Sequence, residues 1–397
     1  MIIIKNGNIL TMETVQYTNG YVIIEENRIS DVGDMAEYDA AREEQACRVV
    51  DARGRVVMPG LIDAHCHIGI FEDGIGFEGD DGNEATDPAT PHLRALDAVN
   101  PMDRSFAEAL AEGITTVVTG PGSANPIGGQ VLAMKTYGRG ADGSAVCVDD
   151  MVIKEPLAVK IAFGENPKFV YHGKDRQPAT RMATAAIIRE NLMKAREYAD
   201  AWDEYAKDPE EYDKPDIDVK YEALRRVING EIPLHAHAHR ADDIFTAIRI
   251  AAEFGVKLAV IHCTEGHLIA GKLAGVPVMA GPSLSERSKI ELKNLSFETP
   301  RVLCENGVCT AIVTDHPVVP IKYLRLCAAL AVREGMDEMD ALKAITISAA
   351  RNTGLSDRVG SIAKGKDGDI VIFSGNPLDI CSKVDIVIFN EIVKENL

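Results

Sequence analysis

Two histidines one residue apart, His65 and His67, close the stretch PGLIDAHCHIG (59–69). In an extended chain, side chains at i and i+2 share a face; that geometry grips a single ion, and it is equally that of a solvated strand end. Other ligand-type residues stand in or beside short apolar runs farther along: Lys160 in LAVKIAF, His237 in PLHAHAH, His262 in AVIHC and Asp315 in AIVTD. Each has an ordinary explanation by itself. Lys160 could snorkel to an edge, His262 could be a satisfied core histidine, and Asp315 could cap the turn after it. Together the six are hard to explain by packing, because all but the first pair occupy separate apolar runs. Four imidazoles, a carboxylate and a lysine match the preferences of zinc and similar borderline divalent ions.

Such residues need strand ends that converge. ITTVVTG (114–120), LAVKIAFG (157–164), IPLHAHA (232–238), KLAVIH (257–262), VPVMAG (276–281) and CTAIVTD (309–315) read as short β-branched strands. Helical patterns intervene, as in RADDIFTAIRIAAEFG (240–255), where Ile244, Ile248 and Ala251 or Ala252 share one face. Alternation repeated this often means parallel βα units, and about eight strands favour a closed (β/α)8 barrel, whose strand ends meet at one mouth. The strand between 120 and 157 is either VLAMKTY or AVCVDDMVI. Residues 1–57 and 355–397 read as strands punctuated by Gly and Asp turns, and are expected to pair as one small β-sandwich domain beside a barrel at 58–354. A helical insertion spans about 165–230, read as an enlarged crossover or as a lid or oligomer contact.

Composition narrows the function. The 397 residues are 46% hydrophobic and 26% charged, as in a soluble globular protein. With 42 Lys and Arg against 61 Asp and Glu the formal charge is −19, which argues against nucleic acid or an anionic membrane as partner. No apolar run approaches the ~20 residues that cross a bilayer. The first residues, MIIIKNGNIL, lack a secretion-signal pattern. Eight cysteines without a CxxC fit a reducing cytoplasm, and Cys304 and Cys309 are expected as small buried residues. A small-molecule substrate is the expected partner.

PGLIDAHCHIG, the lysine of LAVKIAF, His237, His262 and TDHP (314–317) resemble the amidohydrolase superfamily, in its imidazolonepropionase-related and prolidase-like branch. The similarity runs from VVMPGLIDAHCH to the tail ITISAARNTGLSDRVGSIAKGKDGDIVIFSGNP. It implies a (β/α)8 barrel with a flanking β-sandwich, and often a homo-oligomer. By that resemblance His65, His67 and Asp315 would hold a first zinc-like ion, His237 and His262 a second, and Lys160 would bridge them as a carbamate. His239 is the reserve for His237, since 235, 237 and 239 share a face; Lys154 and Lys168 are weaker bridges, lying outside the apolar run. With a water activated by two such ions, Asp315 would take a proton and deliver it to a leaving nitrogen, so an amide C–N bond, linear or cyclic, would be hydrolysed.

Deaminases of this superfamily usually carry one metal and an acid three residues after the strand-five histidine; here that position is Arg240. Mononuclear deamination, and a non-enzymatic binding protein on the same fold, are the alternatives. His239 and Arg240 are candidate substrate contacts, Arg240 for an anionic group, although a surface salt bridge would explain it equally. GPGSANPIGGQ (120–130) offers backbone amides at the mouth, with Gly129 and Gln130 as candidate contacts. The acidic stretch FEDGIGFEGDDGNE (71–84) reads as a solvated mobile loop over the mouth. His92, His172, His267 and His316 have no assigned role.

Overall fold

A computed structural model describes residues 1–138 and 146–395. Two eight-stranded sheets organise them. The first takes strands from both ends of the chain: β1 (Ile2–Ile9), β2 (Tyr17–Glu25), β3 (Arg28–Asp34), β4 (Arg48–Asp51) and β5 (Val56–Pro59). The second holds β6 (Leu61–Cys66), β7 (Ile114–Thr119), β8 (Ile127–Lys135), β9 (Val152–Ala162), β10 (Leu234–Ala238), β11 (Leu258–His262), β12 (Val278–Ala280) and β13 (Thr310–Ile312). From the C-terminal end, β14 (Ile370–Phe373), β15 (Val384–Phe389) and β16 (Ile392–Glu395) complete the first sheet, in the order β16-β15-β14-β5-β1-β2-β3 with β4 beside β1. Ile24 of β2 and Ile388 of β15 share one apolar cluster. Four strand intervals separate them in the sheet, so it bends over its own core.

The second sheet runs β13 to β6 in sequence order. The seam between its ends is drawn together past the strands, where the Asp315 amide donates to the His65 carbonyl at 3.2 Å and the His67 amide to the His316 carbonyl at 2.8 Å. The fold is a (β/α)8 barrel with a flanking β domain.

One strand departs from the parallel pattern expected of the barrel. VLAMK lies in β8, which is antiparallel to both β7 and β9. A tight turn at 120–126, with no helix to carry the chain back, leaves only the reversed direction available. Of the rival reading AVCVDDMVI, the first residue falls outside the described ones; Val148–Asp150 form a 3-10 turn and Val152 opens β9. The reversal puts the start of β8 at the mouth and its end, Lys135, at the opposite rim. The terminal sheet also extends two residues farther than the expected boundary, to Pro59. Cys309 is exposed, just before β13, and Cys304 is half-buried, packed from the helix that precedes β13 against the main apolar core.

Ten helices among the described residues cover the barrel: α1 (Arg104–Ala111), α2 (Glu165–His172), α3 (Arg181–Lys207), α4 (Val219–Ile228), α5 (Ala241–Phe254), α6 (Gly266–Ile269), α7 (Thr299–Glu305), α8 (Leu324–Arg333), α9 (Glu338–Ala344) and α10 (Ile347–Asn352). α3 begins where the Thr180 hydroxyl accepts from the Ala183 amide. Its Ala185, Ile188, Leu192, Ala195 and Ala199 recur at intervals of three and four and are buried. The first four share a core with Leu224 and Val227 of α4 and Ile244 and Ala247 of α5, so the 165–230 insertion is an enlarged crossover packed on the barrel wall. Burying Ile188 and Leu192 contributes roughly 2–3 kcal/mol each. No described helix is long and apolar enough to cross a membrane.

Candidate metal centre

The barrel mouth collects the polar ends of these strands. His65 closes β6, His237 lies in β10 and His262 ends β11; all are at most 3% exposed. Lys160, within β9, is 1% exposed among apolar neighbours. Asp315 follows β13 in a left-handed conformation (φ 54°), as does His262 (φ 71°), backbone states that non-glycine residues hold only where surrounding contacts enforce them. For Asp315 those contacts are the seam bonds already described. The buried Asp63 carboxylate reinforces them, accepting from the His65 amide at 3.3 Å and from the Thr314 hydroxyl.

Two groups of donors form. His65, His262 and Asp315 offer ligand atoms within 4.8 Å of one another, and so do His237, His239 and His262. Asp315 Oδ1 stands 3.3 Å from His65 Nε2 and 3.2 Å from His67 Nε2, which brings His67 to the first group. Lys160 Nζ lies 3.3 Å from His65 Nε2. His262 joins the groups, its ring centroid 5.5 Å from that of His65 and 4.4 Å from that of His237. Several rings are pinned through Nδ1: His67 to the Gly120 carbonyl at 2.7 Å, His262 to the Gly281 carbonyl at 2.8 Å and His239 to the Thr264 hydroxyl at 2.7 Å. Pinning Nδ1 leaves Nε2 as the free donor, the usual arrangement of metal-bound histidine. Gly281 can present its carbonyl because a Cβ there would stand 2.3 Å from the Val313 oxygen.

Electrostatics suits a cation. Burial holds the imidazoles of His65, His237 and His262 well below the usual histidine range, and that of His239 at about 3, so all are neutral ligands. Burial pushes the Asp315 carboxyl up, but His262, His65 and His67 outweigh it and hold the group ionised. Burial also pulls Lys160 down to about 8. Both ring nitrogens of His237 are buried with no hydrogen-bond partner, an expense that a bound ion would remove. The residues present therefore fit divalent metal.

Some expected residues lie elsewhere. Arg240 makes a two-pronged pair with Asp242 at 2.9 Å, at the start of α5. Gln130 donates to the Pro91 carbonyl at 3.2 Å, and Gly129 lines a second cavity, against Leu93, and not the one that holds His237 and Asp315. Lys154 is exposed near the outer end of β9 and Lys168 is partly exposed on α2. His235 is fully buried one layer below His237, next to Lys160 in the strand register. The 71–84 stretch is folded back on itself by a Phe71–Asp80 bridge, and Phe71 and Asn83 reach the mouth cavity.

Two further polar residues, unmarked by any sequence pattern, reach the site. Glu291, in a 3-10 turn after β12, is 1% exposed and places Oε1 3.8 Å from His239 Nε2 and 4.0 Å from His237 Nε2. Lys289, two residues earlier, lines a cavity of about 620 Å³ together with His67, His237, His239 and Asp315. Lys289 is the one Lys or Arg among that cavity's described lining residues, and donates to Asn166 Oδ1 at 2.6 Å.

A family model for the amidohydrolase family matches residues 56–395. The chain belongs to the amidohydrolase family. It is on that ground an enzyme, a hydrolase of carbon–nitrogen bonds. An amidohydrolase from Thermotoga maritima MSB8 is 41% identical with a TM-score of 0.92, each chain covered in full. Amidohydrolase tasK of Hapsidospora irregularis is 27% identical over 91% of this amidohydrolase chain, which spans only 38% of that protein's length. An imidazolonepropionase of Porphyromonas gingivalis is 25% identical, over 88% of this chain and 82% of its own.

Proposed function

We propose that the protein hydrolyses the C–N bond of a small amide, with divalent metal held by His65, His67, Lys160, His237, His262 and Asp315. The observation that carries this reading is the convergence of those donors, neutral imidazoles around an ionised carboxylate, at the floor of the 620 Å³ cavity. Metal bound there would supply Lewis acidity toward the substrate carbonyl and acidify a water. Asp315, ionised and beside that floor, accepts the proton of the attacking water at its carboxylate and returns it to the departing nitrogen. Relatives named imidazolonepropionase, whose chemistry is also at a C–N bond, support the class.

Lys160 is suited to carry a carbamate. Its depressed basicity makes far more of the amine neutral near pH 7 than an exposed lysine would have, and the neutral amine is the form that adds to CO2 with loss of a proton. Lys289 gives the cavity a positive charge, held in place by Asn166. A dipeptide or N-acyl amino acid, with its free carboxylate toward Lys289, is therefore favoured over an uncharged lactam.

Deamination is the second reading, favoured by one observation: the acid absent three residues after His237 is present in space as Glu291. A screen of dipeptides, N-acyl amino acids, lactams and aminated rings separates the two, since only deamination releases ammonia without opening a chain or ring. On the substrate found, Asp315→Asn is expected to lower kcat/KM by about 10²–10⁴-fold, with the fold retained. Full activity in that variant would sink the assignment.

A further inference from the structure

The carboxylate of Glu291 is tied at one oxygen and open at the other. Oε2 accepts from the Glu165 amide at 2.9 Å. Gly164, in a left-handed conformation (φ 85°), makes the approach possible, because a Cβ there would lie 2.6 Å from Oε2. Oε1 is buried with no hydrogen-bond partner and faces the Nε2 atoms of His239 and His237. His239 has Nδ1 held by Thr264, which turns Nε2 toward Glu291. A buried carboxylate oxygen and a buried ring nitrogen left without partners, as Glu291 Oε1 and His237 Nε2 are, are costly unless an ion lies between them.

We propose that Glu291 and His239 join His237 and His262 to form an all-protein divalent-cation position on the β10 side of the mouth, with three imidazoles and one carboxylate as donors. The inference rests on the metal-dependent reading above and goes beyond it, since it adds two ligands and makes this position independent of any bridge from Lys160. Donors around a tetrahedral zinc at ~2.0–2.1 Å stand roughly 3.3–3.4 Å apart. Oε1 stands 3.8 and 4.0 Å from two of the three imidazoles but outside the group whose donors all lie within 4.8 Å of one another, so the Glu291 side chain must rotate inward to reach that spacing. A borderline ion such as Zn²⁺ or Co²⁺ suits the set.

The test is metal stoichiometry and Zn²⁺ affinity, by elemental analysis and competition with a chelating dye, on the full chain and on Glu291→Gln, His239→Ala, Lys160→Met and His65→Ala, each checked for folding by circular dichroism. Glu291→Gln and His239→Ala are each expected to weaken one Zn²⁺ at least tenfold, and Lys160→Met to leave that ion bound. If both of the first two bind zinc as the parent does, the inference fails; should Glu291→Gln also lose turnover, the carboxyl is a proton carrier instead. Because His65→Ala probes the other donor group, loss of an ion there with none lost at Glu291 overturns only this inference. Parent protein with no zinc affinity overturns the metal-dependent reading as well.

Discussion

Buried charge occurs at both ends of the barrel, and the two ends treat it differently. At the rim opposite the mouth, where β8 ends against the terminal sheet, Lys135 Nζ meets Asp369 at 2.6 Å and Asp367 at 2.9 Å. The Tyr137 hydroxyl donates to Asp369 at 2.6 Å, while Arg358 and Arg28 pair with Asp367 at 3.0 and 2.6 Å. Every carboxylate oxygen there faces a donor. At the mouth, by contrast, His235 and His237 lack partners at both ring nitrogens and Glu291 lacks one at Oε1. A satisfied buried network fixes one geometry, here the seating of the terminal sheet on the barrel. An unsatisfied one stores a cost that something else must relieve, which is what a binding site does.

The comparison breaks most readily at Lys135. Lys135→Met removes the cation shared by Asp367 and Asp369 and leaves their charge buried, so global stability should fall by about 3–5 kcal/mol in urea unfolding. Activity per folded molecule should be unchanged, because the cluster is at the far rim. A loss of turnover without a loss of stability would show that the two ends are coupled.

At and beside the mouth, the contrast is between two cations. Lys289 lines the cavity, whereas Arg240 spends its guanidinium on Asp242. Lys289→Ala is expected to raise KM for a carboxylate-bearing substrate about tenfold, a loss of ~1.4 kcal/mol, with kcat little altered. Arg240→Ala should change neither by more than about twofold, and stability by no more than ~0.5 kcal/mol. Steady-state kinetics on both variants decides which cation meets the anionic group.

The uneven legibility of the site follows from its construction. His65, His237, His262 and Asp315 could be found in the sequence because each closes or follows an apolar strand, and Lys160 because it interrupts one. Glu291 and Lys289 sit in SKIELK, a 3-10 segment with no apolar run before it, so nothing local marks them as facing inward. The turn at Gly164, the Glu165 amide and Asn166, all distant in sequence, hold that loop over the mouth. Arg240 was ambiguous for the opposite reason: Asp242 lies two residues away, and a near neighbour in sequence can capture a guanidinium before any substrate does. The barrel itself was readable from its alternation, except at β8, where a short connection gives no room for a parallel return. The terminal sheet was visible as strands, but its bending over a single core depends on side chains far apart in the chain, such as Ile24 and Ile388.

The sharpest form of the comparison concerns His237. A buried polar group without a partner costs about 1–3 kcal/mol, and leucine has nearly the volume of histidine. In protein stripped of metal by a chelator, His237→Leu should therefore unfold at a urea midpoint equal to or above that of the parent. Adding Zn²⁺ should stabilise the parent in proportion to its site occupancy, through preferential binding to the folded state, and should stabilise the variant less. The same ring would then be a liability in the bare protein and an asset in the loaded one. A stripped variant destabilised by more than ~1.5 kcal/mol would mean that His237 has a structural role its unpartnered nitrogens do not reveal, and the distinction drawn between the two ends of the barrel would not hold.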